Sequence, residues 1–196
     1  MCNEYEFQTK YQEYVEFMHD VDVGPPGPPD DSWLNRPSIR IGDLGPVLRA
    51  AGNGLEMVAM KFGFPPARPK SGPVFNFKSE GRHFDQSARC IIPATGFFEF
   101  TGDRYPKTRH RFSSTAWLLM GIAGLWRGGA AGAPPSFTML TTGPGPDVAP
   151  IHDRQIVILP PQDWMAWIGL ARPESELLKP LPAGTLRSDV VRKGDS

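Results

Sequence analysis

Cysteine is scarce in this chain: two residues, Cys2 and Cys90, stand 88 positions apart among 196. That leaves no disulfide framework and no Cys-x-x-Cys motif, and it points to a reduced, cytoplasmic protein in which Cys90, inside ARCIIP, is a core residue. Histidine is also sparse. His19, His83, His110 and His152 show no ligand spacing, so neither a metal centre nor another cofactor is expected. No run approaches the ~20 apolar residues of a membrane span, and the acidic start carries no secretory signal. Net charge is zero, which excludes coating nucleic acid by bulk electrostatics.

What is present supports a packed domain. The chain is 40% hydrophobic, with 12 Phe, 5 Trp and 4 Tyr, enough for a substantial core. One domain over residues 1–187 is expected, with 188–196 a frayed polar tail, and a monomer. Charge is unevenly spread: residues 1–31 hold eight acids and one Lys, whereas 61–111 hold ten Lys/Arg and four acids. A basic middle of this kind suits a phosphate-binding face, with ordinary surface scatter as the competing explanation.

In TKYQEYVEFMHDV, Phe7, Tyr11, Tyr14, Met18 and Val21 recur at helical spacing behind a Thr9-x-x-Gln12 capping box. GPPGPPDD (24–31) ends that helix in an extended surface connection. Short β-prone runs follow: PVLRA, LEMVAMKF, PVFNFK, RCIIP, GFFEF, AWLLMGIAGLW, SFTMLTT and RQIVILP. Their spacing predicts an α+β fold, a curled, barrel-like, mainly antiparallel sheet with a few peripheral helices. DWMAWI should be one such helix, with Trp164, Trp167 and Ile168 on one face, and RPESELL a further turn with Pro173 near N1.

Cys2 follows Met1 directly, and loss of Met1 exposes an amine and a thiol on adjacent carbons. Such groups titrate near ~8 and ~8.5 in peptides. The amine condenses with an aldehyde to an imine, and the sulfur closes onto it as a five-membered thiazolidine. Four segments bear on this chemistry: PVFNFKSEG with Asn76, RCIIPATGFFEF with Glu99, AGLWR, and LTTGPGPDVAPIHDRQIVIL with His152. In this order and spacing, from residue 1 to about 187, including PLPAGTLR, they resemble the SOS response-associated peptidase (SRAP) family. Its patterns are a cysteine at position 2, an Asn-bearing strand, R-C-[LI]-[IV]-P-x-x-G-F-x-E-[WFY], A-G-[LI]-W, and T-T…I-H-x-[RK] leading into P-V-I-L.

The resemblance implies binding of single-stranded DNA and capture of abasic sites as a protein–DNA thiazolidine, after Met1 removal that is self-catalysed. The DNA-bound protein would then sit at the nucleoid. It also implies phosphate contacts from Lys78 and Arg154, with Arg68 and Thr142 on the same path, extended by the basic hairpin RYPKTRHR (104–111). Phe62, in FGFPP, would support an unstacked base or else lie in the core. The residues themselves fit the chemistry. Ring opening, imine formation and closure each move a proton, and Glu99 between Phe98 and Phe100 suits a shuttle with a raised pKa, unless it simply faces solvent. His152, held between Pro/Gly turns and an apolar strand, can protonate the ring oxygen. Asn76 offers donor and acceptor to the Cys2 amine.

The match departs at the start. Where the family commonly has Met-Cys-Gly-Arg, this chain has Met-Cys-Asn-Glu, so Glu4 places an acid where a DNA-contacting cation is usual. Lys78 and Phe62 replace the usual Arg and Trp, and Lys lacks the bidentate fork. Two other functions stay open: a thiol peptidase pairing Cys2 with His152, and a non-catalytic single-strand-binding module.

Overall fold

The computed structural model describes residues 2–20, 31–52, 54–66, 68, 70–130 and 132–194. The proline-rich stretch expected to form the surface connection therefore lies, up to residue 30, outside the described residues. Thirteen strands and three helices are assigned among those described: β1 Glu4–Gln8, α1 Tyr11–Asp20, β2 Asn35–Arg40, β3 Leu44–Ala51, β4 Gly54–Phe62, β5 Asn76–Lys78, β6 Arg89–Ala94, β7 Gly96–Thr101, β8 Thr108–Ser114, β9 Met120–Arg127, β10 Ser136–Thr142, β11 Gln155–Ile156, β12 Ile158–Leu159, α2 Trp164–Gly169, α3 Glu174–Leu177 and β13 Leu186–Arg192.

Five of these strands close a ring. β4 pairs antiparallel with β3, β3 with β6, β6 with β9 and β9 with β10, and β10 returns parallel to β4. Closure removes the open edges that such apolar strands would otherwise expose. Beyond the point where β4 leaves, β5 takes its place beside β10, setting Asn76 opposite Met139 and Lys78 opposite Thr141. On its other flank β10 meets β11 through Thr141–Ile156 and Thr142–Gln155. A second, five-stranded sheet runs in the order β13-β8-β7-β1-β2.

The RCIIPATGFFEF segment joins the two sheets. β6 belongs to the barrel, the chain bends at Thr95, and β7 belongs to the second sheet. Gly96 permits this crossing: a Cβ there would meet the Glu6 carboxylate at 2.8 Å and the Phe112 carbonyl at 3.1 Å. Between the sheets lies an aromatic core. Phe62 stacks on Phe137 with ring centroids 5.0 Å apart, and Tyr5 meets Phe62 edge-on at 5.9 Å. Each such ring, fully buried, contributes roughly 1.5–3 kcal/mol over an exposed one.

The helices cover the barrel's outside. Tyr14 and Met18 of α1 are buried, and Phe17 packs on Trp164 of α2. Trp164, Trp167 and Ile168 share the buried face expected of them, and both indoles donate to backbone carbonyls, Leu159 O and Cys90 O, each at 3.1 Å. No helix among the described residues is long and apolar enough to cross a membrane.

Several local expectations need correction. Phe7 lies in β1, meeting Tyr14 edge-on rather than continuing the helical stripe. The α1 start is capped by Glu13, which accepts from the Lys10 backbone N–H and the Thr9 hydroxyl, while Gln12 bonds Glu16 instead. Pro173 does lie near N1 of α3, as expected, in the N-cap position just before it. Of the tail expected to fray from residue 188, residues 188–192 instead belong to β13, paired with β8 through Arg192, while 195 and 196 lie outside the described residues.

Candidate active site

β1 is an inner strand of the second sheet, hydrogen-bonded to β2 and β7, and this threading carries Cys2 to the seam between sheet and barrel. The strand forms although its first and third residues are acids, because each is matched by a cation. Glu6 takes Nε and Nη2 of Arg111, and Glu4 takes Arg109 and Arg40. Cys2 is fully buried, its thiol donating to the Glu4 carbonyl at 3.3 Å. Its backbone carbonyl accepts from Asn76 Nδ2 at 2.9 Å, so the barrel strand β5 holds the N-terminal segment directly. The Asn76 amide oxygen is buried with no hydrogen-bond partner among the described residues.

Burial pushes the Cys2 thiol pKa well up, and the Glu99 carboxylate beside it adds to the rise. The resting thiol is therefore protonated and needs a base at the moment it reacts. Glu99, on β7, is itself only 2% exposed. Removal from water raises its carboxyl from 4.5 to about 7, against the pull of the N-terminal ammonium, while Asp153 adds a smaller rise. It can thus both give and take a proton near neutrality. The pattern FFEF leaves open whether Glu99 faces out; it faces in because both sides of β7 are covered, and Arg109 lies 3.4 Å from the Phe98 ring centre.

His152 stands in the turn before β11, its Nε2 3.7 Å from Glu99 Oε2. Nδ1 lies 3.0 Å from both the Arg154 backbone N–H and an Asp153 carboxylate oxygen. Asp153 is largely in solvent, so the backbone donor sets the tautomer: Nδ1 accepts and Nε2 carries the hydrogen towards Glu99. Burial, then the N-terminal ammonium, lowers the imidazole pKa despite Asp153, which agrees with a neutral ring. A cleft of about 600 Å³ opens from Glu99 and His152 towards solvent. Cys2, Asn76, Glu99 and His152 are thereby brought to one place. Among the described residues, no group of three or more His, Cys, Asp or Glu could hold a metal ion.

The other residues singled out from the sequence fare differently. Lys78 is exposed, two residues beyond Asn76, and Arg68 is exposed in the loop after β4. Arg154 sits beside the site but is clamped by Glu80 through both carboxylate oxygens, at 2.6 and 2.9 Å, and also donates to the Thr141 hydroxyl. The clamp holds the Glu80 carboxyl down to about 2. Thr142 is buried at the end of β10. Phe62 is a core residue: its full burial against Phe137 and Tyr5 removes it from any base-stacking surface. Glu4 presents no free charge, because its Oε1 accepts from Ser38, Arg40 and Arg109. The sequence reading missed Glu80, though Asn76, Lys78 and Glu80 share strand spacing, and missed Arg40 and Arg192, for which no local pattern exists.

A family model described as SOS response associated peptidase (SRAP) matches residues 1–194. No curated protein matches the chain in sequence. Among solved structures, a protein from Bordetella bronchiseptica superposes with a TM-score of 0.74 at 24% identity, over 97% of this chain and 100% of the other. A Bacteroides thetaiotaomicron protein gives 0.72 at 15% identity, over 97% and 92%. A phage-related protein, also from B. bronchiseptica, gives 0.71 at 22% identity, over 98% and 95%. At these identities the structural likeness is one of fold.

Proposed function

The chain belongs to the SOS response associated peptidase (SRAP) family, and from that premise we propose that it captures abasic sites in single-stranded DNA as a thiazolidine through Cys2, once Met1 is removed. The observation that carries this reading is the tethering of the Cys2 carbonyl to Asn76 beside Glu99, whose carboxyl titrates at about 7.

Each step has a residue at hand. An abasic deoxyribose is mostly a closed hemiacetal; protonated Glu99 gives its proton to the ring oxygen and takes back the one that leaves the C1 hydroxyl, which releases the aldehyde, while neutral His152 steadies the oxygen by donating a hydrogen bond from Nε2–H. The free Cys2 amine adds to that carbon. Asn76, whose amide oxygen has no hydrogen-bond partner among the described residues, accepts an N–H and aims the nitrogen. Protonated Glu99 delivers the proton with which the hydroxyl leaves as water, giving the imine. The Cys2 sulfur then attacks the imine carbon. Its proton goes to the Glu99 carboxylate, the nitrogen regains one, and the five-membered ring closes with net loss of one water. Run backwards, the same carboxyl protonates the ring and frees the sugar.

A thiol peptidase would pair the Cys2 sulfur with the His152 imidazole. Here the imidazole faces Glu99, and the thiol donates to a backbone carbonyl, an arrangement better suited to a proton relay than to a nucleophile–base couple. The test is a denaturing gel of the mature protein with a uracil-containing oligonucleotide pretreated with a glycosylase. A retarded band lost in Cys2→Ala is expected. No band with mature protein, or its persistence in Cys2→Ala, rejects the reading.

A further inference from the structure

Glu99 and His152 face each other from different sheets. Glu99 stands on β7 of the second sheet, whereas His152 belongs to residues 143–154, the loop between β10 and β11 of the barrel's sheet. Their 3.7 Å separation therefore depends on how that loop is fixed against the second sheet. The loop's own sequence does little to fix it. GPGPDVAP (143–150) holds three prolines, which donate no backbone hydrogen bond, and no helix or strand forms between Thr142 and Gln155.

The loop is wound instead about Val148, which is fully buried. Val148 and Ala149 both donate their backbone N–H to the Gly145 carbonyl, at 3.1 and 2.9 Å. Ile151 and His152 donate theirs to the Val148 carbonyl, at 2.9 and 3.0 Å. A shift at 147–148 is thus passed on to the backbone of His152. Asp147 is where the loop is tied down. Its Oδ1 accepts from the Gly184 backbone N–H and its Oδ2 from that of Leu186, each at 2.9 Å.

Those two donors lie in the PLPAGTLR segment, which leads directly into the second sheet. Leu186 opens β13 opposite Ser114 of β8. Next in the chain, Thr115 donates its N–H to the Thr185 carbonyl at 3.0 Å and its hydroxyl to the Gly184 carbonyl at 2.8 Å. β8 in turn pairs with β7, where His110 stands opposite Glu99. A continuous run of hydrogen bonds therefore leads from the loop of the imidazole, through Asp147, to the strand that bears the carboxyl. The packing is close along the way: a Cβ on Gly145 would come within 2.9 Å of the Pro180 side chain and 3.1 Å of the Leu181 carbonyl.

We propose that Asp147 is a positioning residue for capture: by bracing the His152 loop against residues 184–186 it sets the imidazole relative to Glu99. This role rests on the thiazolidine chemistry proposed above. Asp147 does not line the cleft, so its contribution is geometric. The neutral imidazole steadies the ring oxygen only while Nε2–H stays within hydrogen-bond reach of the atom that Glu99 protonates. Holding two N–H groups with two oxygens suits a carboxylate. Asparagine keeps one acceptor and turns a donor towards the other N–H.

The experiment measures single-turnover capture of an abasic oligonucleotide by the mature full-length chain. The limiting rate and the half-saturating concentration are read for wild type, Asp147→Ala, Asp147→Asn, His152→Ala and the two double variants, with thermal melting of each. Asp147→Ala should lower the limiting rate about tenfold, with Asp147→Asn between it and wild type. The half-saturating concentration should stay within about twofold. In the His152→Ala background, where no imidazole remains to be placed, either Asp147 substitution should change the limiting rate by less than about twofold, although its effect on melting persists. If Asp147→Ala does not fold, Asp147→Asn carries the same comparison. Equal losses of rate in the two backgrounds, or an unchanged limiting rate in the folded variants, would overturn the positioning role while leaving the Cys2 chemistry standing. No adduct with the wild type would overturn that chemistry and the positioning role with it.

Discussion

Replacing Glu99 by Gln should make the protein more stable at alkaline pH and leave it nearly unaffected in acid. The native carboxyl titrates at about 7 where an unfolded one titrates at 4.5. The folded state therefore holds a proton that the unfolded state releases, so stability falls as pH rises from about 4.5 to about 7 and stays level above. A difference of that size corresponds to about 3 kcal/mol at 1.36 kcal/mol per pH unit. Glutamine has nearly the same shape and no charge to bury, so it escapes the loss. Urea unfolding at pH 4 and pH 8 measures this directly. With a slope of ~2 kcal/mol/M, the midpoint of Glu99→Gln relative to wild type should shift upward by about 1.5 M between the two pH values. An offset that is the same at both pH values would refute the raised pKa, and with it the use of Glu99 as a proton shuttle at neutrality. The same substitution should abolish the steepest part of the pH–rate profile for capture.

Other outcomes follow from single contacts. Glu80→Gln loosens the clamp on Arg154, and binding of an undamaged single-stranded oligonucleotide, read by fluorescence anisotropy at low salt, should tighten about tenfold, ~1.4 kcal/mol; weaker binding would mean that the ion pair itself shapes the surface. Asn76→Ala leaves the Cys2 carbonyl unpaired in a part-buried site, which should cost ~1–3 kcal/mol in urea unfolding and slow adduct formation more than it weakens DNA binding. Gly124→Ala puts a methyl 2.8 Å from the Thr138 carbonyl and 3.1 Å from the Cys90 sulfur, and thermal melting should register a loss of ~1–3 kcal/mol.

The barrel was legible because its strands are buried on at least one face and read as apolar runs: LEMVAMKF, RCIIP and SFTMLTT became β4, β6 and β10. The second sheet was mostly invisible. β2 and β13 are edge strands with exposed polar faces, and β8, TRHRFSS, carries arginines whose partners lie on β1. β1 itself, EYEFQ, hides by a different route. Its acids are buried with arginines from over a hundred positions away, and no local pattern announces such a pairing. Of the site, Cys2, Asn76, Glu99 and His152 could be named from motif order, because each sits at a fixed offset from a strand-forming run. Phe62 could not be placed, since an aromatic at a strand end serves core and surface alike, and only its stacking on Phe137, its partner on the neighbouring strand β10, decides it. Of the residues that line the cleft, Lys107 and Arg109 stood in a noted basic hairpin, whereas Arg40 and Arg192 reach it only through the order of strands in the sheet.

The most direct measurement is the intact mass of the purified chain before and after incubation with an abasic oligonucleotide, with borohydride added in a parallel sample. A chain lacking Met1 that gains the oligonucleotide less one water, and does not take up two further hydrogens from borohydride, is the expected result for a closed thiazolidine on Cys2. A chain that retains Met1, forms no adduct, or forms one of unchanged yield in Cys2→Ala would contradict it.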